Sequence, residues 1–200
     1  MKLIYTASQV REAEKPYIEA ADYDGYLMQR AADAVAAEAQ DLLRGKEKAK
    51  ILLLIGPGNN GADTIYAGAR LSAKGHRVDA VIFDLSEKNL ELIAREGGEG
   101  TRVLDPAKAQ EHLKSYDLVL DGILGTGASG AVRGEAGECL NVLREAQKNG
   151  KLGAVLAVDT PSGVDNNRGT VHEPSLHADR TVTFIGHKLP AGTSHSVHSG

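Results

Sequence analysis

Three short segments concentrate the side chains of this chain that could do chemistry: Gly56-Pro-Gly-Asn-Asn-Gly-Ala-Asp63, Asp121-Gly-Ile-Leu-Gly-Thr-Gly127 and Asp159-Thr-Pro-Ser-Gly-Val-Asp165. Each joins a carboxylate, able to move a proton, to glycines that let the backbone come close to a ligand. The first also reads G-x-G-x-x-G through Gly56, Gly58 and Gly61. It follows five apolar residues, 51–55, a run too short for a helix and lacking the alternation of a half-exposed strand. A strand, a glycine turn and a helix start gather several backbone N–H groups around one concave spot, which favours phosphate or another anion. Asp84 closes the next strand, where a dinucleotide fold places its ribose acid. Taken singly, each feature also has a purely structural reading. Glycines serve strand-to-helix turns, Asp63 suits a helix dipole, Asp121 and Asp159 suit turns, and Asp-Thr-Pro-Ser-Gly suits a capped turn. The coincidence of all three segments on one sheet edge favours a site.

The elements needed to place them there follow from the pattern. Strands are expected at residues 51–55, 77–83, 101–104, 118–120, 154–158 and 181–184. Helices are expected at 62–74, 89–95, 106–114 and 135–148. This alternation predicts an α/β fold, a Rossmann-like three-layer αβα arrangement with a mostly parallel sheet. Ligands of such sheets bind beyond the carboxyl ends of the strands, where the three segments would lie. Two additional N-terminal helices precede the first core strand, at about 6–17 behind a capping-box pattern (Thr6 to Gln9) and at 26–43. They are expected to cover a sheet edge or to mediate dimerisation. All 200 residues make a single domain, with residues 192–200 expected as a flexible tail or linker.

Bulk composition removes several classes. A net charge of −4 gives no general basic surface for nucleic acid, and 4% aromatic residues argue against a base-stacking platform. No apolar run is long enough to span a membrane, and no secretory core follows the N-terminus, so a cytoplasmic protein is expected. Cys139 is the only cysteine, and the seven histidines form no metal-spaced pair near the three segments.

Together, Gly56-Pro-Gly-Asn-Asn-Gly-Ala-Asp63, Asp121-Gly-Ile-Leu-Gly-Thr-Gly127 and Val158-Asp-Thr-Pro-Ser-Gly-Val-Asp165 resemble the NAD(P)H-hydrate epimerase family, the YjeF N-terminal domain. Tyr5-Thr-Ala-Ser-Gln-Val-Arg-Glu-Ala-Glu14, Leu27-Met-Gln-Arg-Ala31, and Asp179-Arg-Thr-Val-Thr-Phe184 with Lys188 extend the resemblance from about residue 5 to 190. It implies an isomerase that interconverts the R and S forms of hydrated NADH and NADPH at C6 of the reduced nicotinamide ring. It also implies a homodimer and a functional link to an ADP- or ATP-dependent dehydratase. Carried over to this chain, the substrate site comprises Asn59, Asn60, Gly61, Ala62, Asp63, Gly125, Thr126, Gly127, Ala128, Ser129, Gly130, Ala131 and Asp159. A potassium ion (K+) falls to Asn60, Asp121 and Ser162.

The residue types suit that chemistry. An Asn carbonyl, an Asp carboxylate and a Ser hydroxyl are the oxygen donors a hard monovalent cation takes. Epimerisation can proceed by loss and return of the hydroxyl, supported by the ring nitrogen, with one carboxylate as acid and base. Asp159 is assigned that role, with binding of a substrate hydroxyl as its alternative. The chain departs from the family at Ala62 and Thr64, where glycines are usual, and at Ser129-Gly130-Ala131, where Ser-Arg-Pro is frequent. Lys188 is followed by Leu-Pro rather than Pro-Gly. These departures leave open reduced activity, or a catalytically silent dimerisation or ligand-sensing module. An ordinary NAD(P)-dependent oxidoreductase is disfavoured, because the chain has no Tyr-x-x-x-Lys pair.

Overall fold

The apolar run at residues 51–55 sits in the middle of a sheet, and its side chains divide between two cores. Ile51, Leu53 and Ile55 face one, and Leu52 and Leu54 the other. A strand buried on both faces needs no polar alternation. A computed structural model describes residues 4–22, 25–83, 87–97, 100–112, 115–188 and 196–198. In chain order the elements are β1 (Ile4–Tyr5), α1 (Ala7–Ile18), α2 (Tyr26–Leu42), β2 (Lys50–Ile55), α3 (Asn59–Ala73), β3 (Arg77–Ile82), α4 (Glu87–Glu96), β4 (Thr101–Val103) and α5 (Pro106–Gln110). They continue with β5 (Leu118–Gly122), α6 (Gly134–Lys148), β6 (Ala154–Val158), β7 (Val164–Asp165), β8 (Thr170–Val171), β9 (Arg180–Thr183), β10 (His187–Lys188) and β11 (Ser196–His198).

Seven strands form the main sheet in the order β11-β9-β6-β5-β2-β3-β4, with every neighbouring pair parallel. One face packs under α2, α3 and α4, through residues such as Val35, Ala39, Ile65, Leu71 and Leu92. The other packs under α5 and α6, through Ala109, Cys139, Leu140 and Leu143. The three-layer αβα arrangement expected from the sequence is therefore present. From β2 the chain runs outward through β3 to β4, then crosses back to β5 and proceeds the other way. That reversal between β2 and β5 opens the crevice in which such sheets bind ligands.

The two N-terminal helices are placed by local rules. Thr6 and Gln9 form the reciprocal capping box: the Gln9 N–H donates to Thr6 Oγ1 at 3.3 Å and the Thr6 N–H to Gln9 Oε1 at 2.9 Å. The Ala7 N–H reaches Asn167 Oδ1 at 3.3 Å, tying the start of α1 to the loop after β7. Ala32, Val35, Ala36 and Ala39 put the apolar stripe of α2 onto α3 and the sheet. The first helix of the core, α3, starts at Asn59, three residues before the predicted start. Gly58 adopts φ 88° and turns the chain directly into it. Gly61 then lies against the strand end, where an added Cβ would come 2.0 Å from the Gly56 carbonyl oxygen. The predicted helix at 106–114 is described as far as Gln110; residues 113 and 114 lie outside the described residues, as does Asp84. Within the expected tail, residues 196–198 pair with β9 in register, Val197 opposite Val182.

Candidate active site

Beyond the carboxyl ends of β2, β5 and β6 lies a cavity of about 780 Å³, a size that suits small-molecule ligands. Asn59, Asn60 and Asp63 reach it from the first turns of α3. Leu124, Gly125, Thr126, Gly127 and Ala128 come from the loop after β5, and Asp159 from the end of β6. The N-terminal helices roof it with Val10, Arg11, Glu14 and Ile18 of α1 and Leu27, Met28, Arg30 and Ala31 of α2 or its start.

Asp159 is held by three residues at once, Val182 and Thr183 of β9 and Thr126 of the loop after β5. Its N–H donates to the Val182 carbonyl at 2.7 Å, extending the ladder one residue past β6. There the backbone turns to φ 64°, a left-handed conformation that Asp tolerates better than most residues. Its Oδ2 accepts from the Thr126 N–H at 2.9 Å and from the Thr126 hydroxyl, and its Oδ1 from the Thr183 hydroxyl at 3.4 Å. The carboxylate is thus fixed in orientation towards the loop that follows β5.

Asp63 has the opposite environment. It is the fifth residue of α3, past the first turn where a helix dipole would reward a carboxylate, and it is buried. Burial, then repulsion from Asp159, then repulsion from Glu14 push its carboxyl up to about 8. At neutral pH Asp63 therefore carries a proton into a cavity shared with Asp159. Two carboxyl groups of one site, one of them held protonated, divide naturally into acid and base.

Behind these residues Asp121, Ser162 and Asn60 are linked through Leu124. The Ser162 hydroxyl donates to Asp121 Oδ1 at 2.5 Å and its N–H to Oδ2 at 2.8 Å. The Leu124 N–H donates to Ser162 Oγ at 3.0 Å, and the Leu124 carbonyl accepts from Asn60 Nδ2 at 3.0 Å. Asp121 is not a turn residue: it lies in β5 opposite Leu54 and Ala157. Burial pushes its carboxyl up, and the bonds from Ser162 and Ile123 pull it back. Two observations fit a cation here. Asn60 Oδ1 is buried with no hydrogen-bond partner, and no basic side chain acts on Asp121 among the described residues. Such a donor set, all oxygen, is what a hard cation takes. Replacing Asp121 with alanine strands the Ser162 and Ile123 N–H groups; unfolding stability is expected to fall by about 2–4 kcal/mol, read from urea denaturation.

The structure thus brings together Asn59, Asn60, Asp63, Gly125, Thr126, Gly127, Ala128 and Asp159 around one cavity, with Ser162 one hydrogen bond behind it and Asp121 two. Gly61 and Ala62 are buried in α3 and do not line it, and neither do Ser129, Gly130 and Ala131, farther along the loop after β5. Ala62 and Thr64, where the family resemblance leads one to expect glycine, sit in regular helix without positive φ. Thr64 Oγ1 donates to the Asn60 carbonyl at 2.8 Å. Sequence reasoning missed Arg11, Glu14 and Arg30 as cavity residues. Their one signal was the extension of the family resemblance over both N-terminal helices.

An open parallel sheet with a largely apolar cavity at its reversal, into which Asn59, Asn60, Asp63 and Asp159 reach, defines a Rossmann-like α/β protein with a candidate small-molecule site. Residues 25–189 match the family model described as YjeF-related protein N-terminus, and the chain belongs to that family. The NAD(P)H-hydrate epimerase of Microbacterium testaceum strain StLB037 is 38% identical over 183 residues, which cover 90% of this chain and 68% of that one. The NAD(P)H-hydrate epimerase of Clavibacter michiganensis subsp. michiganensis is 36% identical over 188 residues, covering 90% and 79%. The bifunctional NAD(P)H-hydrate repair enzyme Nnr of Mycobacterium tuberculosis H37Rv is 31% identical over 192 residues, 94% of this chain. This chain spans 38% of that enzyme's length. The crystal structure of yeast ynu0 shares the fold, with a TM-score of 0.81 at 20% identity over 98% of this chain and 87% of that one.

Proposed function

We propose that the chain is an epimerase of hydrated NADH and NADPH, inverting C6 of the reduced nicotinamide ring in the cavity at the ends of β2, β5 and β6. The observation that carries this reading is that Asp63 and Asp159 line one cavity, where burial and the charge of Asp159 push the Asp63 carboxyl up to about 8. The names of the relatives support the substrate. In one direction the Asp63 proton passes to the C6 hydroxyl, the C6–O bond breaks, and water leaves. The lone pair of the ring nitrogen fills the gap as a C=N⁺ bond. Water returns to the opposite face of C6 and gives its extra proton to Asp159. In the reverse direction the two carboxyl groups exchange roles, as microscopic reversibility requires. Mixing the purified protein with R-form hydrated NADPH and following the R/S ratio tests the reading. Convergence on the equilibrium ratio is expected, and a ratio drifting no faster than in buffer would refute it.

Asn60, Asp121 and Ser162 would hold a potassium ion. It would supply positive charge that offsets the buried Asp121 carboxylate and stiffens the Leu124 loop beside the substrate. A cation bound to the folded state alone stabilises it by mass action. Exchanging potassium for tetramethylammonium at constant ionic strength is expected to cost about 1–3 kcal/mol of stability, seen as a lower Tm. Equal melting in both salts would remove the ion from the account.

A silent module was suggested by Ala62 and Thr64, and their ordinary helical geometry supports the active reading instead. A homodimer and a working link to a dehydratase belong to the same proposal; light scattering on the purified chain decides the first.

A further inference from the structure

The charge pattern of the cavity bears on what holds the phosphates of the ligand, on the reading above that this ligand is a nicotinamide dinucleotide. The glycine turn after β2 offers them backbone N–H groups at the start of α3 but no cationic side chain. Gly61 and Ala62 are packed into the protein and do not line the cavity, so only Pro57, Gly58, Asn59 and Asn60 present that turn to a ligand. Glu14 and Asp159 add negative charge to the wall. Among the described residues, the only basic side chains lining the cavity are Arg11 of α1 and Arg30 of α2. Both are exposed at its roof, and no ion pair joins either to another described residue. The Arg11 guanidinium lies over the loop after β5, with Nη1 3.3 Å from where a Cβ on Gly127 would stand. Gly127 follows Thr126, whose N–H and hydroxyl hold Asp159. Arg11 therefore lies over the loop after β5, and Arg30 lines the same cavity from α2. Guanidinium groups donate in a fixed fork that matches phosphate oxygens two at a time.

We propose that Arg11 and Arg30 form a diphosphate subsite. It holds the bridge of the dinucleotide against the N-terminal helices while the nicotinamide ring lies towards Asp63 and Asp159. The two helices that precede the α/β core then form one wall of the substrate site rather than a mere cover.

The test uses the whole chain and the variants R11A, R30A and R11A/R30A, with R11K/R30K as a milder pair should the alanine forms fold poorly by circular dichroism. NADPH binding is read from nucleotide fluorescence, and KM and kcat from hydrated NADPH. Each alanine variant is expected to weaken NADPH binding and raise KM by about tenfold, with a much smaller change in kcat. Hydrated nicotinamide mononucleotide, which has a single phosphate, should lose less. Wild-type turnover with an unchanged KM in the double variant would overturn the subsite alone. Wild-type NADPH binding that the arginine variants weaken, without turnover of the hydrate, would support the subsite and overturn the epimerase reading. A wild-type chain that neither binds the dinucleotide nor turns it over would overturn both.

Discussion

Replacing Asp159 with asparagine is expected to lower kcat for epimerisation by about 10²- to 10⁴-fold and to leave KM nearly unchanged. Asparagine has the same shape and tolerates the left-handed backbone at φ 64°. It can still accept from Thr126 through its carbonyl oxygen. What it loses is the charge and the ability to take a proton from the incoming water. The substitution therefore separates a proton-moving role from a binding one. A rise in KM at constant kcat would assign Asp159 to a substrate hydroxyl, and unchanged kinetics would remove it from the mechanism.

Asp63→Asn is expected to match that loss, about 10²- to 10⁴-fold in kcat, and to change the pH profile as well. The wild-type rate should fall as the pH rises through about 8, where Asp63 gives up its proton. The variant should lack that limb, because its amide does not titrate. Stability carries an independent signature. The unfolded chain releases the Asp63 proton near the ordinary value of 3.8, while the folded chain keeps it to about 8. Over that interval the folded state binds more protons, so the contribution of Asp63 is fullest below about pH 4 and is lost progressively as the pH rises to about 8. The variant should gain stability over wild type at about pH 9 and little at about pH 4, read from urea denaturation. Parallel curves at all pH values would mean that the Asp63 carboxyl is ordinary.

Those two carboxyl groups show what the sequence made legible and what it hid. The buried run at residues 51–55 and the regular alternation after it were enough to locate the core strands along the chain, because strands buried on both faces need only apolar residues. The three glycine-bearing segments fell on one edge as a consequence of parallel topology. Hidden were features set by neighbours distant in sequence. Asparagine is a poor helix former, so Asn59 and Asn60 read as loop, although Gly58 commits the chain to α3 directly before them. That shift moved Asp63 from the helix start into a buried position, and nothing local shows that Asp159 and Glu14 face it. The edge strand at 196–198 is too short and too polar to leave a periodic signal. Arg11 and Arg30 gave no local signal of a site because their relation to the cavity is set by how α1 and α2 dock. At Ala62 and Thr64, the departure from glycine left reduced activity open, and the regular helical backbone there needs no positive φ.

The most direct test is a crystal structure of the protein with a hydrated nicotinamide dinucleotide bound. C6 of the ring should lie between the Asp63 and Asp159 carboxyl groups, with density for an ion among Asn60, Asp121 and Ser162. A nucleotide bound with its nicotinamide ring away from that pair of carboxyl groups would contradict the account.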